Sequence, residues 1–432
     1  MSDRTIAVDY ITRVEGEGAL HVTIKDKTVK DVELRIFEAP RFFEAFLRGR
    51  MYTEAPDITA RICGICPVAY QMSSCNAMEN ALGIKVDGQL RALRRLLYCG
   101  EWIESHPLHI YLLQAPDFFA LPDALQLAKV NPEAVVKALT LKKIGNDIMT
   151  LLGGREIHPI NVRVGGFYRT PTKEELMTLR PRLDTALALA EETVRLTATL
   201  KYPAVEHDYE FVALRRDDEY AMLDGNVVSN KGVNVPVTKY EDVFDEYHAP
   251  YANALQSVKK DGRTSYFVGP LARYAINHDK LTPRAAKMAK EVGLEPVVRN
   301  PYKGMIVRAV ETVMAVEESI RIIEQYKQPE KSFVEPPAKF AGGVGCGISE
   351  APRGILFHKY KIGADGLIQE AKITPPTAQN QKRMEEDLRD LVSKSLDKSD
   401  AELTAMCEHS IRNYDPCISC ATHFLKLNIT RE

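Results

Sequence analysis

Eight cysteines stand in the 432-residue chain, and four of them fall in two C-x-x-C pairs. Cys63 and Cys66 lie in RICGICPVAY, Cys417 and Cys420 in DPCISCATHF. Two residues between the sulfurs let both thiolates turn toward one metal while the backbone curls round it. Cys66 and Cys417 are 351 positions apart, so a metal shared by both pairs would tie the two ends of the chain together. Four thiolates suit soft or borderline metals: zinc, an iron–sulfur cluster, or nickel and iron. A structural zinc usually takes its pairs from within tens of residues, which makes this separation unusual for one. Disulfides within each pair are disfavoured in a reducing compartment. Cys75, Cys99, Cys346 and Cys407 have no paired spacing and are expected to be buried as small apolar side chains. His106 and His109 sit three residues apart on one helix, in the style of a ligand pair, yet packed and hydrogen-bonded helix positions explain them. Trp102, the single tryptophan, reads as core.

The elements that must position these residues are mainly helical. Residues 4–37 alternate as short strands, TIAVDYITRV, GALHVTIK and DVELRIF, broken by Gly and Asp-Lys turns. Residues 88–113 carry apolar positions at three- and four-residue steps, with Pro107 as a late kink. Residues 173–200 and 304–327 are amphipathic helices, and Pro181 is expected to start the longer half of the first. Residues 205–275 read as strands and loops, and the Gly- and Pro-rich 335–380 as a long, mostly irregular segment. The expected fold is α+β, a large multihelical body with a helix-bundle core and short N-terminal strands, forming one compact domain over 1–432. The near-balance of 57 basic and 59 acidic residues argues against a nucleic-acid partner. No stretch approaches the ~18 apolar residues of a membrane span. The N-terminus shows no secretory h-region, so a cytoplasmic location is expected.

RICGICPVAY and DPCISCATH resemble the two cysteine motifs of the large, catalytic subunit of nickel–iron hydrogenases. RVEGEG (13–18), RFFEAFLRGR leading to RICGIC, EAPRG (350–354) and PTAQN (376–380) match as well, in the family's order, so the resemblance runs from Arg13 to His423. The compact length and both cysteine motifs are most similar to the cytoplasmic, bidirectional, cofactor-coupled type. The resemblance implies that all four thiolates bind nickel, Cys63 and Cys417 terminally, with Cys66 and Cys420 bridging to an iron that carries carbon monoxide and cyanide. Hydrogen is then split heterolytically, and the cofactor supplies most of the chemistry. By the same resemblance, Glu15 is the proton-shuttling glutamate and Arg353 hangs over the open metal position. Thr377 hydrogen-bonds a cyanide, and Asp415 pairs with the arginine, with Asp117 as a second candidate. Glu17 is left as a solvated neighbour. A magnesium or similar hard cation is implied at Glu44, His423 and a backbone carbonyl near Ile368. The chain departs from many relatives at Tyr70, where they carry a histidine that donates near the bridging sulfur. Tyrosine titrates near ~10 instead of ~6.5, so tuning of the metal differs and its binding does not.

Two other classes compete: a non-catalytic, scaffold subunit like that of respiratory complex I, which has lost the cysteine pairs, and a zinc-stapled structural protein, which needs none of Glu15, Glu44 or Arg353. No further cysteine cluster suits iron–sulfur ligation, so electrons must leave through an iron–sulfur small subunit. Flavin- and NAD(P)-binding subunits are expected beyond it. Residues 424–432 follow the position where a maturation endopeptidase of this family cuts, and are expected to be a C-terminal propeptide.

Overall fold

Alternating apolar residues in the first forty positions build a three-stranded antiparallel sheet, Arg4–Val8, Gly18–Lys25 and Thr28–Ile36, in that order. Leu20, Val22 and Ile24 on the middle strand, with Leu34 and Ile36 on the third, turn inward and are buried. Asp26 and Lys27 both adopt positive φ, as the two-residue hairpin between twisted strands demands. The first strand stops at Val8, short of the extended run its sequence predicts. The structure is a computed structural model and describes residues 4–422; His423 and the expected propeptide 424–432 lie outside the described residues.

Four long helices form the bundle. Gly88–Pro107 packs on Pro132–Gly153 and on Gly304–Gln325, and the last of these also packs on Arg180–Ala198. As expected, Pro181 sits in the first turn of 180–198, after the short helix Lys173–Met177. Pro107 ends its α-helix, and Leu108–Gln114 continues as a seven-residue π-helix, a form frequent at functional sites. Residues 205–275 are strands and loops up to Lys259, apart from the short helical turns Val237–Lys239 and Tyr240–Val243, and are followed by a helix, Pro270–Asn277.

The segment expected to be irregular, 335–380, is so only to 342 and is ordered from Gly343 on. Gly343–Ala351, Gly354–Ile362 and Ile368–Thr374 form a three-stranded antiparallel sheet, followed by the helix Pro376–Ser393. Gly345 and Gly347 mark close packing, while Gly363 and Gly366 serve the turn before the third strand. A Cβ on Gly345 would lie 1.9 Å from the Ala77 carbonyl oxygen, and one on Gly347 2.2 Å from that of Ser73. At 343, 345 and 347 every second residue of the strand is thus bare, so that its first half can lie directly on the helix Pro67–Leu82. That contact brings the end of the 343–351 strand to the start of the 67–82 helix, where Cys66 is the N-cap.

Candidate metal centre

Cys63 and Cys66 occupy the turn that leads into the 67–82 helix, and Cys417 caps the short helix Ile418–Ala421. All four paired sulfurs lie within 4.8 Å of one another, and all four residues are buried. Four points so close lie within about 3 Å of a common centre, near the ~2.3 Å reach of a metal–sulfur bond. The Cys63 and Cys417 sulfurs are 3.6 Å apart and those of Cys66 and Cys420 4.0 Å. Both separations far exceed the ~2 Å of a disulfide. Amides of Ile65 and Cys66 donate to the Cys63 sulfur at 3.3 and 3.2 Å. Hydrogen bonding from Cys417 foremost, then from Cys420 and Cys66, holds the Cys63 thiol well below its usual pKa. Burial pushes Cys417 and Cys420 up. Four converging sulfurs, one of them predisposed to be a thiolate, fit a soft metal.

The two ends of the chain meet through backbone. Glu15 forms a parallel bridge with Cys417: its amide donates to the Pro416 oxygen at 3.3 Å, and its own oxygen accepts from Ile418 at 2.8 Å. Its carboxylate accepts the Ser419 amide at 3.1 Å. Gly16, at φ 88°, leaves room for this approach, since a Cβ there would lie 2.7 Å from that of Ile418. Glu17 is exposed.

Arg353 stands on the two-residue turn between strands 343–351 and 354–362, and is 3% exposed. Its Nε donates to the Asp415 backbone oxygen at 2.7 Å and its Nη2 to the carboxylate at 3.0 Å. Burial opposes its charge, yet Asp415 and then the Cys417, Cys66 and Cys63 sulfurs hold its pKa raised. Its Nη1 is buried with no hydrogen-bond partner among the described residues. An orphaned cationic donor beside four sulfurs is the second feature that fits a bound, negatively charged metal group. Burial would raise the Asp415 carboxyl, but Arg353, with His109 and Arg308 behind it, holds it low. Asp117, the second candidate for the arginine's partner, is engaged elsewhere, by Arg13 and by Arg412 at 2.8 Å. The Thr377 hydroxyl oxygen accepts the Cys417 amide at 2.9 Å, at the start of the 376–393 helix.

Tyr70 is fully buried; burial, then the Cys420 and Cys66 sulfurs, push its hydroxyl pKa well up. Its ring lies 5.7 Å from that of His358. Burial raises Glu44 to about 7, and its carboxylate accepts the Ile373 amide at 2.7 Å. Ile368 lies five residues away on the same strand, with its carbonyl accepting the Gly49 amide at 2.8 Å. Glu44 thus lies against the 368–374 strand that carries Ile368, through the Ile373 amide, while His423 lies outside the described residues. His106 faces Glu311 at 3.0 Å and His109 the Arg412 oxygen at 2.8 Å, so the two rings have separate partners. Cys75, Cys99, Cys346 and Cys407 are buried, and burial lifts Cys75, Cys99 and Cys407 to about 12.

Two positioning groups have no motif of their own in the sequence. Arg41 opens RFFEAFLRGR, and its guanidinium donates both to the Ile62 oxygen at 2.7 Å and to that of Ser419. It buckles the residue before Cys63 to a residue between Cys417 and Cys420. Glu101 accepts the amides of Val68 and Ala69 at 2.7 and 3.2 Å, anchoring the helix start beside Cys66. Neither residue follows a ligand spacing; position in a quoted motif was the only signal for Arg41.

A multihelical α+β fold that gathers four cysteine sulfurs and a buried arginine defines a protein equipped to hold a soft metal. The chain matches the nickel-dependent hydrogenase family over residues 41–137 and 239–423, and it belongs to that family. It is a catalytic large subunit of that class, an oxidoreductase acting on hydrogen. Sulfhydrogenase 1 subunit alpha of Pyrococcus furiosus is 36% identical over 98% of both chains. The NAD-reducing hydrogenase HoxS subunit beta of Cupriavidus necator is 27% identical, covering 98% of this chain and 95% of its own. Among solved structures, an NAD+-reducing [NiFe]-hydrogenase in the H2-reduced state aligns with TM-score 0.88 at 26% identity, covering 98% of this chain and all of that one. No described helix is long and apolar enough to cross a membrane.

Proposed function

We propose that the chain splits H2 heterolytically at a nickel–iron centre held by Cys63, Cys66, Cys417 and Cys420. The observation that carries this reading is the meeting of four buried sulfurs, within 4.8 Å of one another, with an arginine whose Nη1 has no hydrogen-bond partner among the described residues. When bound, the group supplies the redox and hydrogen-binding chemistry, with carbon monoxide and cyanide on its iron. Arg353 presents fixed positive charge at the site, oriented by Asp415. Glu15 takes the proton from the thiolates, since its backbone is pinned to the Cys417 loop while its carboxylate reaches Ser419. Thr377 steadies the Cys417 loop, and its hydroxyl keeps a proton to donate. A hard cation, magnesium by preference, sits near Glu44, with His423 and the backbone carbonyl near Ile368 as further ligands.

Electrons leave through an iron–sulfur small subunit and go on to flavin and NAD(P) subunits in the cytoplasm, after a maturation endopeptidase removes 424–432. The names of the NAD-reducing relatives support NAD(P) as the end of this route. Metal analysis of the purified complex, with hydrogen-dependent NAD(P)+ reduction, tests the reading. One nickel per chain with reduction is expected. Zinc alone would return the zinc-stapled reading, and absence of transition metal from the chain's site the scaffold reading.

A further inference from the structure

A second arginine lies behind Arg353. Arg273, on the 270–277 helix, is 0% exposed and uses its whole donor fork. Nε and Nη2 each donate to Glu311 at 2.8 Å, and Nη1 meets Glu350 at 3.3 Å. The remaining donors go to backbone: Nη1 to the Ala351 oxygen at 2.7 Å and Nη2 to the Pro352 oxygen at 2.9 Å. Those are the two residues before Arg353. The indole face of Trp102 lies 4.5 Å from the guanidinium, and its Nε1 donates to the Glu350 oxygen at 3.2 Å.

The turn needs this support. Ala351 pairs with Gly354, leaving Pro352-Arg353 as a two-residue hairpin loop. Such loops favour positive φ at their first position, which proline forbids, and Arg353 has no positive φ either. Its backbone twist therefore does not come free from the strands. The turn is also pressed against the start of the 270–277 helix, where a Cβ on Gly269 would lie 2.8 Å from the Arg353 oxygen. Burying an arginine with two carboxylates is a weak way to gain stability, because desolvation offsets the attraction. It is a strong way to fix two carbonyls, because a planar fork holds its acceptors in one geometry.

We infer that Arg273 is a positioning residue for the hydrogenase reaction: it locks the Pro352-Arg353 turn so that the Arg353 guanidinium faces the four sulfurs. The inference rests on the reading of Arg353 given above. In the assembled complex, Arg273→Lys keeps the charge but cannot span both carbonyls and Glu311. Amide exchange at 351–354, followed by mass spectrometry, is expected to quicken at least tenfold. The kcat for hydrogen oxidation should fall about a hundredfold, the usual consequence of a ~1 Å misplacement, with KM and nickel content unchanged. Tyr220→Phe is the control, because it removes a 2.8 Å bond to the same Glu311 without touching the turn, and it should change neither quantity. In an Arg353→Lys background, Arg273→Lys should lower kcat by less than twofold. Unchanged exchange at 351–354, or an equal loss of kcat in both backgrounds, would overturn the inference. Near-wild-type activity of Arg353→Lys alone would instead overturn the reading of Arg353, and leave the exchange result standing. If Arg273→Lys does not assemble, Glu350→Gln loosens the Nη1 grip isosterically and is expected to quicken the same amides severalfold; no change there also overturns the inference.

Discussion

A glutamate can carry protons from sulfur only if its place survives loss of its charge, and Glu15 meets that condition. Its position is set by backbone bonds to Pro416 and Ile418, and its side chain accepts one amide, from Ser419. A glutamine oxygen can accept the same amide, so Glu15→Gln leaves the geometry and removes the titrating group. Hydrogen oxidation is expected to fall about 10²–10⁴-fold, the usual worth of a positioned acid–base group, with nickel content unchanged. Turnover within threefold of wild type would end this role for Glu15. At this scale the sequence is informative wherever chemistry dictates spacing. The C-x-x-C pairs announce converging thiolates, and EAPRG and the Asp before Pro416 bring Arg353 and Asp415 together. Arg41 showed only as the first residue of a motif, and Glu101 and Arg273 not at all, because each acts on backbone amides or carbonyls far away in the chain. Such a partner has no residue type and so leaves no pattern.

Elements act on the site through how closely they pack. Gly347 lets the 343–351 strand lie on the 67–82 helix, and a Cβ there would meet Ser73 O at 2.2 Å and Ala77 N at 2.4 Å. Both obstacles are backbone, so Gly347→Ala must push strand and helix apart. Overpacking of this kind costs about 1–3 kcal/mol. It also moves the strand that ends at Arg353 away from the helix capped by Cys66, so activity should fall more than stability. A melting temperature equal to wild type would refute the close contact. The same glycines misled the reading of 335–380, since close approach and loop freedom use the same residue. The π-helical stretch after Pro107 has its own signature. It carries His109, which burial, with Arg308 second, lowers to about 3, while an unfolded histidine titrates near ~6.5. A neutral buried ring adds stability that is complete above pH ~6.5 and drains away as pH falls toward 3. Chemical denaturation should therefore show His109→Gln less acid-sensitive than wild type by up to about 1.4 kcal/mol per pH unit across that window. Parallel curves for the two proteins would show that His109 does not titrate this way.

For the whole molecule, the question is whether the metal holds the ends together or the ends hold the metal. In a zinc-stapled domain the metal is the core, and removing it unfolds the chain. Here the C-terminal segment is fastened by contacts that need no metal: Asp415 to Arg353, Ile418 and Ser419 to Glu15, and Ser419 to Arg41. Thr422 is fully buried, and its oxygen accepts the Arg41 amide at 2.6 Å. The apolar core runs from Ile6 through the bundle to Cys420, far larger than any local staple requires. Removing the metal therefore takes away only what joins the four sulfurs. Burial disfavours charge on Cys417 and Cys420, so those two sulfurs take up protons as it leaves. The metal-free chain should keep its helical circular dichroism and a single cooperative melt. Faster amide exchange should be confined to 62–66 and 415–422. Reloading should need no refolding, and should release protons as the thiols ionise. Loss of helix on metal removal would mean that the metal, and not the packing, brings residues 63 and 417 together.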